Sequence, residues 1–159
     1  MIEKEILKQA KLFSELQSQE LEEILKITKE IVYKKGDIIF LQGDRSTELY
    51  LLTKGEIEIQ IRIAPQIADS TVYIVKPYDI LGEFAFVDPK PRAATARCNS
   101  NCILAMIKRE DFEELVKKYP IIGLQCYKSL AQLLSERLRR MDDYLKDIFV
   151  RSLGLEVLT

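Results

Sequence analysis

The chain has 159 residues, of which 47% are hydrophobic and 31% charged, with six Gly and five Pro. This is the composition of an ordinary folded protein, and it excludes disordered, collagen-like and disulfide-scaffold chains. The length suits one domain with its own core rather than two. The net charge of −1 at pH 7 gives no bulk attraction to nucleic acid or to an anionic membrane, so we expect neither as a direct partner.

The absence of histidine from the sequence removes His-ligated haem, Cys/His zinc sites and the Ser-His and Cys-His pairs of hydrolytic enzymes. Cys98, Cys102 and Cys126 are interpreted as packed free thiols, because a Cys-x3-Cys pair lacks the further ligands that zinc needs. We therefore expect no catalytic residue and no metal. The charged start at residues 1–5 carries no apolar signal-peptide region, and no apolar stretch approaches the ~20 residues that span a bilayer, so we expect a cytoplasmic protein.

The chain begins with helical periodicity over about residues 1–28, where Ser18 is the expected N-cap of a helix with Glu20 and Glu22 in its first turn. From about residue 29 to 108 the period changes to two, with glycine-centred turns between short strands. The predicted strands are residues 30–33, 38–41, 48–52, 56–63, 71–75, 92–98 and 102–107, with turns at Gly36, Gly43 and Gly55. Many short strands at this spacing predict an antiparallel barrel or sandwich.

The C-terminal part is helical again, over about residues 109–150. A short amphipathic helix over Arg109–Tyr119 should stop at Pro120, and a long helix follows it. Its apolar stripe consists of Leu130, Leu134, Leu138, Met141, Leu145 and Ile148. A helix of ~30 residues is roughly 45 Å long, which exceeds what one small barrel can cover. The surplus stripe predicts a homodimer seam; packing on its own domain alone is the alternative.

Residues 80–91 interrupt the strand pattern and carry the candidate chemistry. Gly82 allows a close backbone approach, and the apolar run after it is predicted to form one helical turn, whose free N–H groups favour an anion. Arg92, at the expected head of a strand, offers a planar fork of donors suited to phosphate. The Glu83 carboxylate is an acceptor for a hydroxyl. Together they describe a small molecule with both a hydroxyl and a phosphate.

Two runs, Leu81–Ala85 and Pro91–Ala94, resemble the phosphate-binding cassette of the cyclic-nucleotide-binding domains, with its Glu-to-Arg spacing intact. The resemblance extends from about Leu12 to the long C-terminal helix. It implies a mainly β fold, an antiparallel β-roll of the jelly-roll kind with N-terminal helices and a long C-terminal helix, in one domain over residues 1–159.

The resemblance also implies roles for the cassette residues. Glu83 would take the ribose 2′-hydroxyl and Arg92 the cyclic phosphate. The remaining ligand-binding residues would be Gly82, Phe84, Ala85, Ala93 and Ala94. Family members that prefer cGMP often carry Thr directly after the arginine, whereas this chain has Ala93, which favours cAMP. Phe84 and Phe86 replace the more usual Leu and would keep the site apolar.

The base is expected against the long helix, where alignment with the family on Arg137-Leu138 places Met141 and Asp142. A methionine can lie on a ring face and a carboxylate can accept from an adenine amino group. The alternative is that Met141 belongs to the dimer seam and Asp142 is solvated. The arginines 137, 139 and 140 are interpreted as a solvated helix face rather than a nucleic-acid site.

Three hypotheses about function follow. The first is a cyclic-nucleotide sensor that signals to an unidentified protein partner or through its own dimer. No DNA-binding helix-turn-helix follows the long helix in this sequence, so direct DNA binding is not expected unless the chain is the sensor half of a larger transcription regulator. The second is an interaction domain that keeps the β-roll and the dimer helix without binding nucleotide. The third, a redox or metal sensor, is weakened by the missing histidines.

Overall fold

The computed structural model describes residues 2–154, and within that range it contains five α-helices and eight β-strands. The helices are α1 (Lys4–Gln9), α2 (Ser18–Lys26), α3 (Glu83–Val87), α4 (Arg109–Lys118) and α5 (Pro120–Ser152), with a 3-10 turn at Lys11–Phe13. The strands are β1 (Thr28–Tyr33), β2 (Ile38–Phe40), β3 (Leu49–Lys54), β4 (Ile57–Ile61), β5 (Ser70–Val75), β6 (Ile80–Leu81), β7 (Thr95–Cys98) and β8 (Cys102–Ile107). The helical and strand regions therefore follow the order that the sequence predicts.

The strands form two four-stranded antiparallel sheets, in the orders β1-β8-β3-β6 and β2-β7-β4-β5. β8 pairs with both β1 and β3, so that Ile107 lies opposite Thr28 on one side and Leu49 on the other. This is a β-roll, and it confirms the predicted antiparallel β fold with flanking helices.

Alternate residues of β3 serve two separate cores. Leu49 and Leu51 pack into a cluster with the helices, whereas Tyr50 and Leu52 point into the interior of the roll. This alternation follows from the period of two in a strand, which places successive side chains on opposite faces. The first sheet thus lies between the helices and the second sheet, and α3 sits on the helix side, where Phe86 contacts Phe112 with ring centroids 5.2 Å apart.

Most of the predicted strand ends shift by one to three residues, and three of the differences have an identifiable cause. β6 was not predicted, because its two residues are too few to show a period of two. β4 ends at Ile61 rather than residue 63, since the Arg62 N–H bonds the Gln42 side chain. β7 begins at Thr95, not Arg92: the Arg92 N–H donates to the Asp44 carbonyl at 2.7 Å, and this bond ties Arg92 to the loop after β2.

The N-cap of α2 is also corrected. The helix already includes Ser18, and its N-cap is Gln17, whose N–H donates to the Glu20 carboxylate at 2.7 Å. The Ser18 hydroxyl instead accepts a hydrogen bond from Lys4 Nζ at 3.0 Å, which ties α1 to α2.

The long helix α5 has two different halves. Its first half is anchored by buried Ile122, Cys126 and Leu130, and Gly123 lies so close to α4 that an added Cβ would come within 2.4 Å of Val116. Its second half leaves large apolar side chains exposed: Leu138, Met141, Tyr144, Leu145, Ile148 and Phe149. In residues 2–154 no helix is long and apolar enough to cross a membrane.

Candidate ligand site

The short helix α3 is set up by Gly82, its N-cap, which has a positive φ of 82°. A side chain is disfavoured at this backbone angle, and space also excludes one here. A Cβ on Gly82 would lie 2.6 Å from Arg92 Nη1 and 2.8 Å from the Glu48 carbonyl oxygen. Gly82 is therefore required both for the turn into α3 and for the approach of Arg92.

Arg92 is buried, with only 3% of its surface exposed, and each of its three nitrogens is held. Nε donates to the Ser46 hydroxyl at 2.9 Å, Nη1 to the Gly82 carbonyl at 3.0 Å, and Nη2 to the Glu48 carbonyl at 2.9 Å. The Glu48 carboxylate also lies 3.4 Å from Nη2, and the guanidinium sits 4.2 Å from the centroid of the Phe40 ring. These contacts with protein atoms fix the orientation of the side chain.

Burial lowers the pKa of the Arg92 guanidinium, although arginine keeps its charge at any pH at which proteins fold. Four acceptor atoms use four of its five N–H groups: the Ser46 hydroxyl, the Gly82 carbonyl, and the carbonyl and carboxylate of Glu48. Within residues 2–154, this leaves one hydrogen on Nη1 without an acceptor. A buried cation with a spare donor is suited to an anionic oxygen.

Glu83 is the first residue of α3 and is also buried, with 4% of its surface exposed. Its carboxylate accepts a hydrogen bond from Arg137 Nη1 on α5. Arg137 Nη2 donates to the Ile80 carbonyl at 3.0 Å, and the Arg137 guanidinium carbon lies 5.4 Å from the centroid of the Tyr73 ring. A buried carboxylate needs such pairing, because an unpaired charge away from water is costly.

The interpretation of Arg137 as a solvated residue is therefore wrong, since only 24% of its side chain is exposed and it pairs with Glu83. The sequence carried a signal for it. Arg137 follows the buried Leu130 by seven residues, so it lies two turns further along the same face of α5. Arg139 and Arg140 are exposed, as expected.

The other cassette residues lie around this pair. Ala85 is buried, Ala94 is half-buried and Ala93 is exposed. The Phe84 side chain is 55% exposed and points outward. The expectation that Phe86 keeps the site apolar is wrong, because its ring is buried against Phe112 in the helix-side core.

The structure leaves both predicted base contacts on the exposed half of α5. The Met141 side chain is 60% exposed, and Asp142 is exposed as well. They lie one turn beyond Arg137, and no contact between either of them and the cassette is described. Their role toward a base stays a prediction.

The comparisons with known proteins identify the family. Residues 30–119 match the cyclic nucleotide-binding domain family, and this match spans β1 to the end of α4. The chain belongs to the cyclic nucleotide-binding domain family. Cyclic nucleotide-binding domains are named for their ligand class, and the matched range includes Gly82, Glu83 and Arg92.

Three relatives show how far the similarity extends. The cyclic AMP receptor protein of Thermus thermophilus is 29% identical over 137 residues, which are 86% of this chain and 61% of that protein. The regulatory domain of Toxoplasma gondii PKA, solved with cAMP, has a TM-score of 0.65 at 28% identity over 73% of this chain and 44% of that chain. A cyclic nucleotide-binding domain from Methylobacillus flagellatus has a TM-score of 0.80 at 24% identity, over 90% of this chain and 80% of that chain, which supports the fold. The chain thus spans less than two thirds of the Thermus protein.

Proposed function

We propose that this cyclic nucleotide-binding domain is a regulatory module that binds cAMP between α3 and the loop containing Arg92. The observation that supports this most strongly is the buried pair of opposite charges on either side of Gly82. Glu83 and Arg92 are only 4% and 3% exposed, and Arg92 Nη1 bonds the carbonyl of Gly82, the residue next to Glu83. A carboxylate acceptor and a guanidinium donor that lie next to the same residue suit a ligand with both a hydroxyl and a phosphate.

In this proposal Arg92 pairs with the cyclic phosphate, helped by backbone N–H groups near Gly82, Ala85 and Ala93. Glu83 accepts from the ribose 2′-hydroxyl while Arg137 holds its charge. Ala94 lies beside the ligand, Phe84 lies at the exposed rim of the site, and Met141 and Asp142 approach the base from α5. The residue after the arginine, Ala93, has no hydroxyl to offer a guanine, so we favour cAMP over cGMP.

The output is proposed to pass through α5. The helix contributes Arg137 to the site and, one turn further, begins the exposed apolar stripe that we propose as a homodimer seam. A ligand shifts the position or stiffness of the helix only by its differential affinity for two states, and Glu83 is the contact through which it would act. A second copy of the chain or a separate protein partner then responds to the change in the helix. No catalytic step is proposed. All three cysteines are free, which fits a reducing compartment such as the cytoplasm.

The test is a calorimetric titration of cAMP into Arg92→Ala, with Arg97→Ala as the matched control. Arg97 is a partly exposed arginine on β7 whose Nη1 bonds the Gly36 carbonyl, away from the cassette. Removing one partner of a desolvated phosphate pair costs about 2–5 kcal/mol, so Arg92→Ala should bind at least about thirtyfold more weakly. Arg97→Ala should bind like the wild type.

Since Arg92 also bonds Ser46, Gly82 and Glu48, its replacement is expected to reduce the free energy of unfolding as well. Thermal unfolding of the variant is therefore measured first, without ligand. The titration is then carried out at a temperature where the variant is folded. If folded Arg92→Ala binds as tightly as Arg97→Ala, the proposed phosphate site is wrong. If neither the wild type nor any variant binds cAMP, the sensor hypothesis is wrong, and the protein is instead an interaction domain built on the β-roll and α5.

A further inference from the structure

Phe40 on β2 is a buried ring whose face lies against the guanidinium of Arg92. The guanidinium carbon is over the ring, 4.2 Å from its centroid. A cation is attracted to the electron-rich face of an aromatic ring, and the attraction is stronger when both groups are away from water. Phe40 is 7% exposed and Arg92 is buried as well. The contact is therefore a desolvated cation–π pair.

The ring and the backbone acceptors of Arg92 belong to opposite sheets of the roll. Phe40 lies opposite Ala96 of β7, in the second sheet. The two carbonyls that accept from the guanidinium adjoin strands of the first sheet, because Glu48 precedes β3 and Gly82 follows β6. The edge of the guanidinium is thus bonded to one sheet, while its face rests on a ring of the other. The ring limits the tilt of the guanidinium out of the plane of its hydrogen bonds.

The Phe40 ring is itself held in place by Tyr50 on β3. The two ring centroids are 6.1 Å apart, with 34° between the ring planes. Tyr50 is 6% exposed and lies opposite Leu81, the residue that precedes Gly82. Closely packed interior side chains leave little room for movement. Phe40 therefore offers Arg92 a fixed surface, which is connected through Tyr50 to the start of the cassette.

We infer that Phe40 is a positioning residue for phosphate recognition, acting through Arg92. Its ring keeps the guanidinium in one plane and excludes water from one of its faces, so that the remaining hydrogen on Nη1 has a defined direction. A donor that is ordered in advance loses less freedom when it binds an anion. A charge with little water around it also attracts an anion more strongly. This inference rests on the proposed function, because that function supplies the phosphate.

The experiment is a calorimetric titration of cAMP into the wild type, Phe40→Leu, Phe40→Tyr and Phe13→Leu, at a temperature where all four are folded. Leucine is apolar without a ring, whereas tyrosine keeps the ring. Phe13 is 1% exposed in the helix-side core and is the matched control for the loss of a buried ring. Because a looser Arg92 must be ordered on binding, Phe40→Leu should bind cAMP about tenfold more weakly. Phe40→Tyr and Phe13→Leu should bind like the wild type.

A second comparison separates positioning of Arg92 from a general effect on the roll. Phe40→Leu is combined with Arg92→Ala, and its effect on the dissociation constant is measured in both backgrounds. If the ring acts through the guanidinium, Phe40→Leu should cause no further loss once Arg92 is removed. A ring that only stabilises the roll would weaken binding by the same factor in both backgrounds.

Two results would overturn the inference while leaving the proposed function intact. One is that Phe40→Leu binds cAMP as tightly as Phe13→Leu does, and the other is an equal loss with and without Arg92. Where Arg92→Ala binds too weakly for this ratio, equal affinities of Phe40→Leu and Phe40→Tyr overturn the inference instead. If Phe40→Leu does not fold, Phe40→Met takes its place, because methionine adapts to irregular core space. A wild type that does not bind cAMP would remove the proposed function itself.

Discussion

Arg137 and Glu83 form an ion pair that joins the long helix to the first turn of α3, although they are 54 residues apart in sequence. Glu83 is almost entirely buried, and Arg137 also bonds the Ile80 carbonyl that immediately precedes the cassette. The carboxylate proposed to receive the ligand is thus in direct contact with α5. A ligand that engages Glu83 acts on the helix without any intervening residue.

Replacement of Glu83 by Gln should remove selectivity for the ribose hydroxyl. The wild type is expected to bind cAMP more tightly than 2′-deoxy-cAMP, by about tenfold or more, because hydrogen bonds to charged groups contribute about 1.5–3 kcal/mol. In Glu83→Gln the ratio of the two dissociation constants should fall toward one. Competition binding measures both ligands, and Glu110→Gln, an exposed carboxylate on α4, is the control. An unchanged ratio in Glu83→Gln would place the hydroxyl elsewhere.

Gly82→Ala should cost far more stability than Gly36→Ala. Both glycines have positive φ, 82° and 91°, so both substitutions carry the strain of the left-handed region, about 1–2 kcal/mol. Only Gly82 also faces a collision, with Arg92 Nη1 and the Glu48 carbonyl, whereas nothing lies within 4 Å of a Cβ at Gly36. Urea unfolding should show Gly82→Ala losing about 2 kcal/mol more than Gly36→Ala. Equal losses would show that the loop around Arg92 relaxes freely.

Leu145→Glu should disrupt self-association through α5. Leu145 belongs to the exposed apolar stripe, whereas Lys146 lies beside it with its Nζ 3.6 Å from Asp143. A charge buried in a dimer seam reduces the free energy of association much more than a charge on a solvated face of the helix. We expect sedimentation to show a wild-type dimer, a Leu145→Glu dimer weakened about tenfold or more, and Lys146→Glu close to wild type. A monomeric wild type at high micromolar concentration would contradict the seam.

Stability should fall as pH rises above about 8.5, the pKa of a thiol in an unfolded chain. Burial raises the pKa of the Cys126 thiol to about 12, so the unfolded state loses its proton first and alkaline pH favours unfolding. Between pH 7 and 9.5 one such thiol should lower the free energy of unfolding by about 1.4 kcal/mol. Urea unfolding at both pH values should show a smaller loss for Cys126→Ala than for the wild type. The same loss in both proteins would show that this thiol does not cause the pH dependence.

The elements that could be predicted from the sequence are those whose apolar side chains repeat with a clear period. The alternation before and after Gly55 and the stripe of α5 predict the β-roll and the long helix, and Gly82, Glu83 and Arg92 stand out because of their spacing. β6 could not be found, because two residues have no period. The start of β7 was misplaced because the backbone of Arg92 bonds the loop at Asp44, a contact that no local pattern encodes.

The pairing of Glu83 with Arg137 could not be predicted, because it depends on how α5 packs across the roll. A helical pattern shows which residues share a face, but not which residue of another element each of them meets. The contact between Tyr73 and Arg137 could not be predicted for the same reason. This contact requires the first turns of α5, buried at Ile122, Cys126 and Leu130, to fix the direction of the whole helix.

The most direct test of the central claim is a calorimetric titration of cAMP, and then cGMP, into the wild-type protein. We predict binding of cAMP in the micromolar range, a free energy of about −8 kcal/mol, and weaker binding of cGMP. That result would support nucleotide binding, and the order of the two affinities would test the interpretation of Ala93. If neither nucleotide binds at millimolar concentration, Glu83 and Arg92 are not a nucleotide site in this protein, and the β-roll with α5 serves as an interaction domain.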